Sequence, residues 1–291
     1  MTAAAGLTLY DATAGASAAS VIRRYSSSFR LATALLPRRC RSAVGSIYAL
    51  VRVADEIVDG TATEAGLDGS AQRSRLDELE AETERAVATG FSANLVVHAF
   101  AVVARDAGIP REPIRAFFAS MRRDLDDVAF DEAEYRTYIH GSAEAVGIMC
   151  LHVFVRGRDV DPDAFAELEK GAARLGAAFQ KVNFLRDIGH DSSALGRAYL
   201  PDVPRTGLTE RAKAAVVADV RADLDAARRA TAGLPRDCRR AVRTATAIFD
   251  ELLRRIDRMP AERLTRVRVS VPPLSKAALA VRASLFPAAA R

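Results

Sequence analysis

Asp55 and Asp59, in Ala54-Asp55-Glu56-Ile57-Val58-Asp59, stand four residues apart near the end of a stretch whose apolar residues recur at helical spacing. That spacing projects both carboxylates from one helix face, where they repel each other unless a cation lies between them. The same spacing recurs in Arg186-Asp187-Ile188-Gly189-His190-Asp191, which follows Leu175, Ala178, Phe179, Val182 and Leu185. Hard carboxylate oxygens suit Mg²⁺, which keeps several waters and completes its shell with one or two carboxylates and substrate phosphate oxygens. Two such pairs facing one another across a cavity would hold a diphosphate. A single pair of acids at this spacing arises by chance on many solvated helices. The duplication, each copy beside apolar helix surface and an arginine, carries the reading.

The flanks supply further groups. Arg52 lies three residues before Asp55 and Arg186 immediately precedes Asp187, so each pair has a guanidinium able to grip phosphate oxygens in bidentate fashion. Gln180 and Asn183 precede Asp187 by about two turns and one turn of helix, on or near its face, and Asn183 offers a carbonyl oxygen to a metal shell. Glu56 projects about 100° away from Asp55 and reads as a supporting group.

These residues need rigid helices behind them, and the periodicity provides them. Apolar residues recur at helical spacing nearly throughout, which predicts an all-α protein with helices over 18–36, 41–58, 70–88, 94–107, 111–126, 132–155, 162–189, 209–232, 236–258 and 276–285. Pro37, Gly60, Gly90 and Gly108-Ile109-Pro110 punctuate the first half, and 196–207 reads as an irregular loop. The charged run 76–85 is a solvated helix face. No Pro/Gly/Ser-rich break divides the middle, so a single helical domain over 18–286 is expected, between a flexible 1–17 and a tail at 287–291.

Lys plus Arg number 42 against 37 Asp plus Glu, a net charge of +5 with no basic block; aromatics are 6 % and Trp is absent. Such scattered charge with little to stack on argues against a nucleic-acid partner and is compatible with a small polyanionic substrate. Cys40, Cys150 and Cys238 show no CxxC pairing and read as reduced core or surface residues. His98, His140 and His152 lack mutual ligand spacing and read as locally hydrogen bonded. No signal-peptide pattern opens the chain, and no apolar run of membrane-spanning length stands out. A cytoplasmic protein is expected, with peripheral membrane contact left open for a lipophilic product.

In its ordered motifs the chain resembles the squalene and phytoene synthases. Tyr25-Ser26-Ser27-Ser28-Phe29, followed by Ile47-Tyr48-Ala49-Leu50-Val51-Arg52-Val53-Ala54-Asp55-Glu56-Ile57-Val58-Asp59, is similar to that family's first signature. Leu175-Gly176-Ala177-Ala178-Phe179-Gln180-Lys181-Val182-Asn183-Phe184-Leu185-Arg186-Asp187, with Asp191 and Gly196-Arg197-Ala198-Tyr199-Leu200-Pro201, is similar to the second. Met121-Arg122-Arg123-Asp124 and the segment from Tyr138 to Gly147 resemble the blocks between them, and the likeness runs from about Tyr25 to Arg268.

The resemblance implies the isoprenoid synthase fold, a helical bundle around a central cavity, with two or three Mg²⁺ ions, Mn²⁺ as a substitute, and no NADPH. It implies that Asp55, Asp59, Asn183, Asp187 and Asp191 hold the metals. Ser26, Ser28, Tyr48, Arg52, Gln180, Arg186 and Arg266 would position diphosphate, and Phe29, Tyr138, Ala143, Val146, Gly147, Phe179 and Phe249 would line the prenyl or acceptor pocket. The implied reaction ionises an allylic prenyl diphosphate and couples it head-to-head to a second one, giving phytoene or dehydrosqualene. Phe249 stands where many relatives have tyrosine, His190 replaces an acid, and Lys181 and Glu144 add charge, attributable to solvent-facing positions. These departures keep open transfer to an indole- or carbazole-like aromatic acceptor, and an inactive helical scaffold is a third reading. Prenyl chain length and oligomeric state are not legible.

Overall fold

The computed structural model describes residues 3–126, 130–194, 199–201 and 207–285, with side chains described for these except 3–4, 27–28, 190–194 and 284–285. The described residues form helices and turns, with no strand. In order they are α1 (Ala3–Tyr25), α2 (Ser27–Ala34), α3 (Arg38–Val58), α4 (Thr61–Glu64), α5 (Gly69–Thr89), α6 (Leu95–Ala107), α7 (Arg111–Arg123) and α8 (Glu132–Ile139). A π-helical turn (His140–Glu144) leads into α9 (Ala145–Val155), followed by α10 (Pro162–Ala194), α11 (Glu210–Thr231), α12 (Arg236–Arg258), α13 (Ala261–Leu264) and α14 (Pro273–Leu285).

Local chemistry sets many of these boundaries. Asp68, Asn94 and Thr209 accept backbone N–H groups at the starts of α5, α6 and α11, and Asp131 with Glu134 closes a reciprocal capping box on α8. The helix expected over 18–36 is interrupted, because Ser26 has extended backbone and its hydroxyl accepts the Phe29 N–H to begin α2. Residues 3–17 of the segment expected to be flexible belong to the helix α1. Ala14 and Ala18 are fully buried against α3 and α6. Asp11 bonds the buried His98 at 2.8 Å, while His98 Nδ1 accepts the Ser92 N–H. The alanine-rich pattern hid this contact, since small residues bury a helix closely without marking it as strongly apolar.

Buried side chains gather into two main clusters. One lies under α3, α5, α6 and α7 around Leu50, Leu76, Phe100, Phe117 and Phe118; the other joins α10, α11 and α12 around Leu185, Val220, Leu224, Leu253 and Ile256. A cavity of about 1300 Å³ separates them, walled by α2, α3, α9, α10 and α12. The 132–155 segment corrects the expectation that no apolar stretch reaches membrane length: by length and composition it would suffice to span a bilayer. Its apolarity has a local cause. Met149 and Val153 join the core while Val146, Cys150 and Phe154 line the cavity, so little of α9 beyond His152 is left for polar residues.

Lys181 also departs from the solvent-facing position expected for it. It is 7 % exposed, and its Nζ donates to Asp223 at 2.7 Å and to Asp219, tying α10 to α11. Asp223, itself 1 % exposed, also receives Arg174 at 3.0 Å. Glu144, by contrast, pairs with the exposed His140 at 3.1 Å. Removing one partner of a buried pair strands the other charge, so Lys181→Ala is expected to cost about 3–5 kcal/mol of stability. Urea unfolding checks this; a loss below about 1 kcal/mol would contradict it.

Candidate active site

Asp55 sits in the last turn of α3 and Asp59 is its C-cap, the Asp59 N–H closing the helix on the Asp55 carbonyl at 2.7 Å. The negative end of a helix is an unfavourable place for two carboxylates. Asp55 faces the cavity with 29 % of its side chain exposed, yet it lies deep in the fold. Burial first, then the neighbouring Asp59, raises its pKa well above the usual carboxylate range; Asp124 and Glu56 add to this and Arg52 opposes it. Arg52 stands 3.9 Å from Asp55, donates from Nε to Glu56 at 2.8 Å, and lies 4.6 Å above the Tyr25 ring centroid. Arg52 thus divides its charge between Asp55 and Glu56.

The second wall comes from α10. Asp187, Asn183, Gln180, Arg186 and Phe179 all line the same cavity as Asp55 and Asp59. Asp187 accepts Arg186 Nε at 3.0 Å and Arg268 Nε at 2.7 Å. Burial opposes its ionisation, but these two guanidiniums outweigh burial and hold its carboxyl below the usual range. The two aspartate walls thus differ: burial and a neighbouring carboxylate raise the pKa of Asp55, while two guanidiniums hold that of Asp187 down.

Each described residue named from the sequence reaches this cavity: Ser26, Phe29, Tyr48, Arg52, Tyr138, Ala143, Val146, Gly147, Phe249 and Arg266 join those on α10. The side chains of Asp191 and Ser28 lie outside the described residues. Arg266 is 73 % exposed and pairs with Glu262, so Arg268 is the arginine that reaches Asp187. Burial, foremost, makes the Tyr48 hydroxyl a weaker acid, with Asp55 adding to the effect; Arg52 and a hydrogen bond with Ser26 partly offset it.

Sequence reasoning missed Asp124, Tyr199, Arg268 and Lys276, all of which line the cavity. Asp124 is 9 % exposed and accepts hydroxyls from Tyr138 at 2.8 Å and Tyr199 at 2.9 Å. Burial, then the charge of Asp124, lifts the Tyr138 pKa far above its normal value and keeps the hydroxyl a donor. Lys276 is pulled below its ordinary pKa by burial and by Arg186. A signal for Arg268 was present: Arg266-Val267-Arg268-Val269-Ser270-Val271 alternates, and Val269 and Val271 are buried while Arg268 stays out.

Below the charged mouth the walls turn apolar. Phe179 and Phe249 stack at 3.8 Å between centroids, with Phe29 at 6.0 and 5.8 Å from them. Gly147 and Gly176 let α9 and α10 close on each other: a Cβ on Gly147 would lie 2.4 Å from the Ala172 carbonyl oxygen, and one on Gly176 2.3 Å from that of Ala143. Either would be an impossible contact with backbone, so Gly147 shapes the pocket as well as lining it.

Among the described residues, no three His, Cys, Asp or Glu side chains stand close enough to hold a metal by themselves. The oxygen donors of Asp55, Asp59, Asp187 and Asn183, spread over two walls, fit a hard cation that retains water and bridges to substrate phosphate. They do not fit an all-protein cage.

Residues 22–275 match the squalene/phytoene synthase family model. Phytoene synthase 3, chloroplastic, of Zea mays is 32 % identical over 201 residues, covering 65 % of this chain and 43 % of that protein. Phytoene synthase of Cereibacter sphaeroides is 32 % identical over 192 residues, covering 62 % of this chain and 50 % of that protein. The chain thus spans about half the length of the curated relatives it matches. A crystal structure of a dehydrosqualene synthase superposes with a TM-score of 0.75 at 22 % identity, covering 94 % of this chain and 96 % of that one. Squalene synthase HpnC from Alicyclobacillus acidocaldarius gives 0.71 at 23 %, covering 85 % and 95 %. Matched by that family model over most of its length, this chain belongs to the squalene/phytoene synthase family.

Proposed function

We propose that this protein is a Mg²⁺-dependent prenyltransferase that ionises an allylic prenyl diphosphate and joins it head-to-head to a second, in a reaction of the phytoene or dehydrosqualene type. The observation that carries this reading is the convergence of Asp55, Asp59 and Asp187, from α3 and α10, on the mouth of one largely apolar cavity. Asp55, Asp59, Asn183 and Asp187 would hold the metal, with Asp191 as the remaining ligand expected from the motif. Bound there, Mg²⁺ supplies positive charge toward the diphosphate.

The chain's own groups do the rest. Arg52, Arg186, Arg268 and Lys276 bring cationic donors to the mouth, where they stabilise charge building on the departing diphosphate oxygens. Ser26 and Tyr48 orient the same end, and Gln180 lines the same cavity. The allylic cation left behind faces Phe29, Phe179 and Phe249, whose ring faces favour a cation while their bulk excludes the water that would quench it. The Tyr138 hydroxyl, which donates to Asp124 in the same cavity wall, stays protonated and does not become a nucleophile.

Products are identified by mass spectrometry after incubation with Mg²⁺ and geranylgeranyl or farnesyl diphosphate. A C40 or C30 hydrocarbon is the expected result, and its absence from both incubations rejects head-to-head coupling. The stack of Phe249 on Phe179 favours a second reading, transfer of the prenyl group to an indole- or carbazole-like ring. Diphosphate release that appears only when such a compound is added would select it.

A further inference from the structure

We propose that Leu168 and Leu234 form the floor of the cavity and limit the donors it accepts to about C20; this rests on the prenyl diphosphate reading above. Both leucines line the main cavity and also a separate outer cleft of about 570 Å³, bounded by Val155, Val160, Pro235 and the charged Arg158 and Asp237. They are thus the partition between two spaces. They are 5 % and 7 % exposed, and the Leu168 Cδ2 packs 3.2 Å from the position a Cβ on Gly233 would take, in the turn between α11 and α12.

Beside the bulkier Leu151, Phe154 and Val242, the bore leading to them has small residues on three helices, among them Gly171 on α10, Ala227 on α11 and Ala245 on α12. Of the residues at that deep end, Leu168 and Leu234 are the ones that also face the outer cleft. The partition also lies far from the charged mouth. Leu168 precedes Asp187 on α10 by about 19 residues, or ~28 Å of helix. On α3 the opposite end from Asp55 is marked by Arg39, which donates to the Phe154 carbonyl and to Asp237 beside the outer cleft, each at 3.0 Å. With C–C bonds of ~1.5 Å an extended prenyl chain advances about 1.25 Å per bond, so C20 spans roughly 20 Å and C25 roughly 25 Å. Once the side chains and diphosphate at each end are allowed for, a C20 chain reaches the leucines and a C25 chain collides with them.

Binding separates this from turnover. Prenyl S-thiolodiphosphates of C10, C15, C20 and C25, which resist ionisation, are titrated calorimetrically with Mg²⁺ into wild type, Leu168→Ala, Leu234→Ala and Ala245→Leu, with thermal melting to verify folding. Opening the floor is expected to raise the C25-over-C20 affinity ratio about tenfold, leaving C10 and C15 within twofold of wild type. Ala245 lies one turn mouthward of the deep Val242, so Ala245→Leu is expected to lower C20 relative to C15 about tenfold. Because truncating a buried leucine can destabilise, Ala245→Leu decides the matter if the leucine variants do not fold. Unchanged ratios in the folded variants overturn the floor. A wild type that binds none of the series overturns the prenyl reading, and the floor with it.

Discussion

Asp55→Ala is expected to lower turnover about 10³-fold while leaving the protein folded and more resistant to heat. The rate effect follows from removing a group set against charge that develops only as the diphosphate departs, the kind of interaction whose loss costs about 10²–10³-fold in kcat. The stability effect has the opposite sign. Asp55 is half-buried deep in the cavity wall, repelled by Asp59 and Asp124, and close to the negative end of α3, while Arg52 lies at 3.9 Å and is also held by Glu56. Removing that charge relieves strain in the free protein, and each 1 kcal/mol so gained raises Tm by about 2–4 °C in a chain of this size class. Asp187→Ala is expected to lower turnover comparably but without the gain, because it frees Arg186 and Arg268 from their shared acceptor. Steady-state kinetics beside thermal melts check both; wild-type turnover in either variant would remove the metal role assigned to that wall.

Gly189→Ala is expected to cut kcat/KM about 10²-fold although alanine normally favours a helix. A Cβ there would sit 2.1 Å from the Thr265 carbonyl oxygen and 2.6 Å from its carbon. Both are backbone atoms, so the segment after α13 must move rather than a side chain. Arg266 and Arg268 lie on that segment, and displacing reactive groups by about 1 Å can cost 10²-fold. Arg268→Gln provides the comparison: if Gly189 acts through this segment, Arg268→Gln loses rate in the same direction and the double variant loses less than the product of the two. Full activity in Gly189→Ala would mean that the segment bears no diphosphate.

Asp55, Asp59 and Asp187, which line one cavity, were legible because each belongs to a local pattern, acids at a four-residue spacing at the end of an apolar helix; the side chain of Asp191 lies outside the described residues. Periodicity likewise placed α3, α6, α10 and α12 within a few residues of their observed bounds. What it could not show arises from tertiary packing. Asp124 ends the charged run Met121-Arg122-Arg123-Asp124 and looks solvated until Tyr138 and Tyr199, the latter 75 residues away, close over it. Lys181 looks like a surface charge until Asp223 arrives from α11. The break at Ser26 was readable in principle, since serine caps helices well, but the apolar period runs across it and masks the cap.

The same distinction explains the pocket. Phe29, Phe179 and Phe249 come from α2, α10 and α12, and nothing in any one segment signals that the three rings meet. The family resemblance supplied those positions; their stacking is a property of the assembled bundle. Gly189 illustrates the converse, a residue inside a recognisable motif whose reason for being glycine lies in a loop more than seventy residues onward.

Release of diphosphate from geranylgeranyl and farnesyl diphosphate, followed during titration of the metal-stripped protein with Mg²⁺, tests the central claim most directly. No release without metal, and a saturable rise as Mg²⁺ is added that Asp55→Ala and Asp187→Ala each abolish, is the expected result. Release at the full rate in the presence of a chelator, or none at any Mg²⁺ concentration, would contradict it.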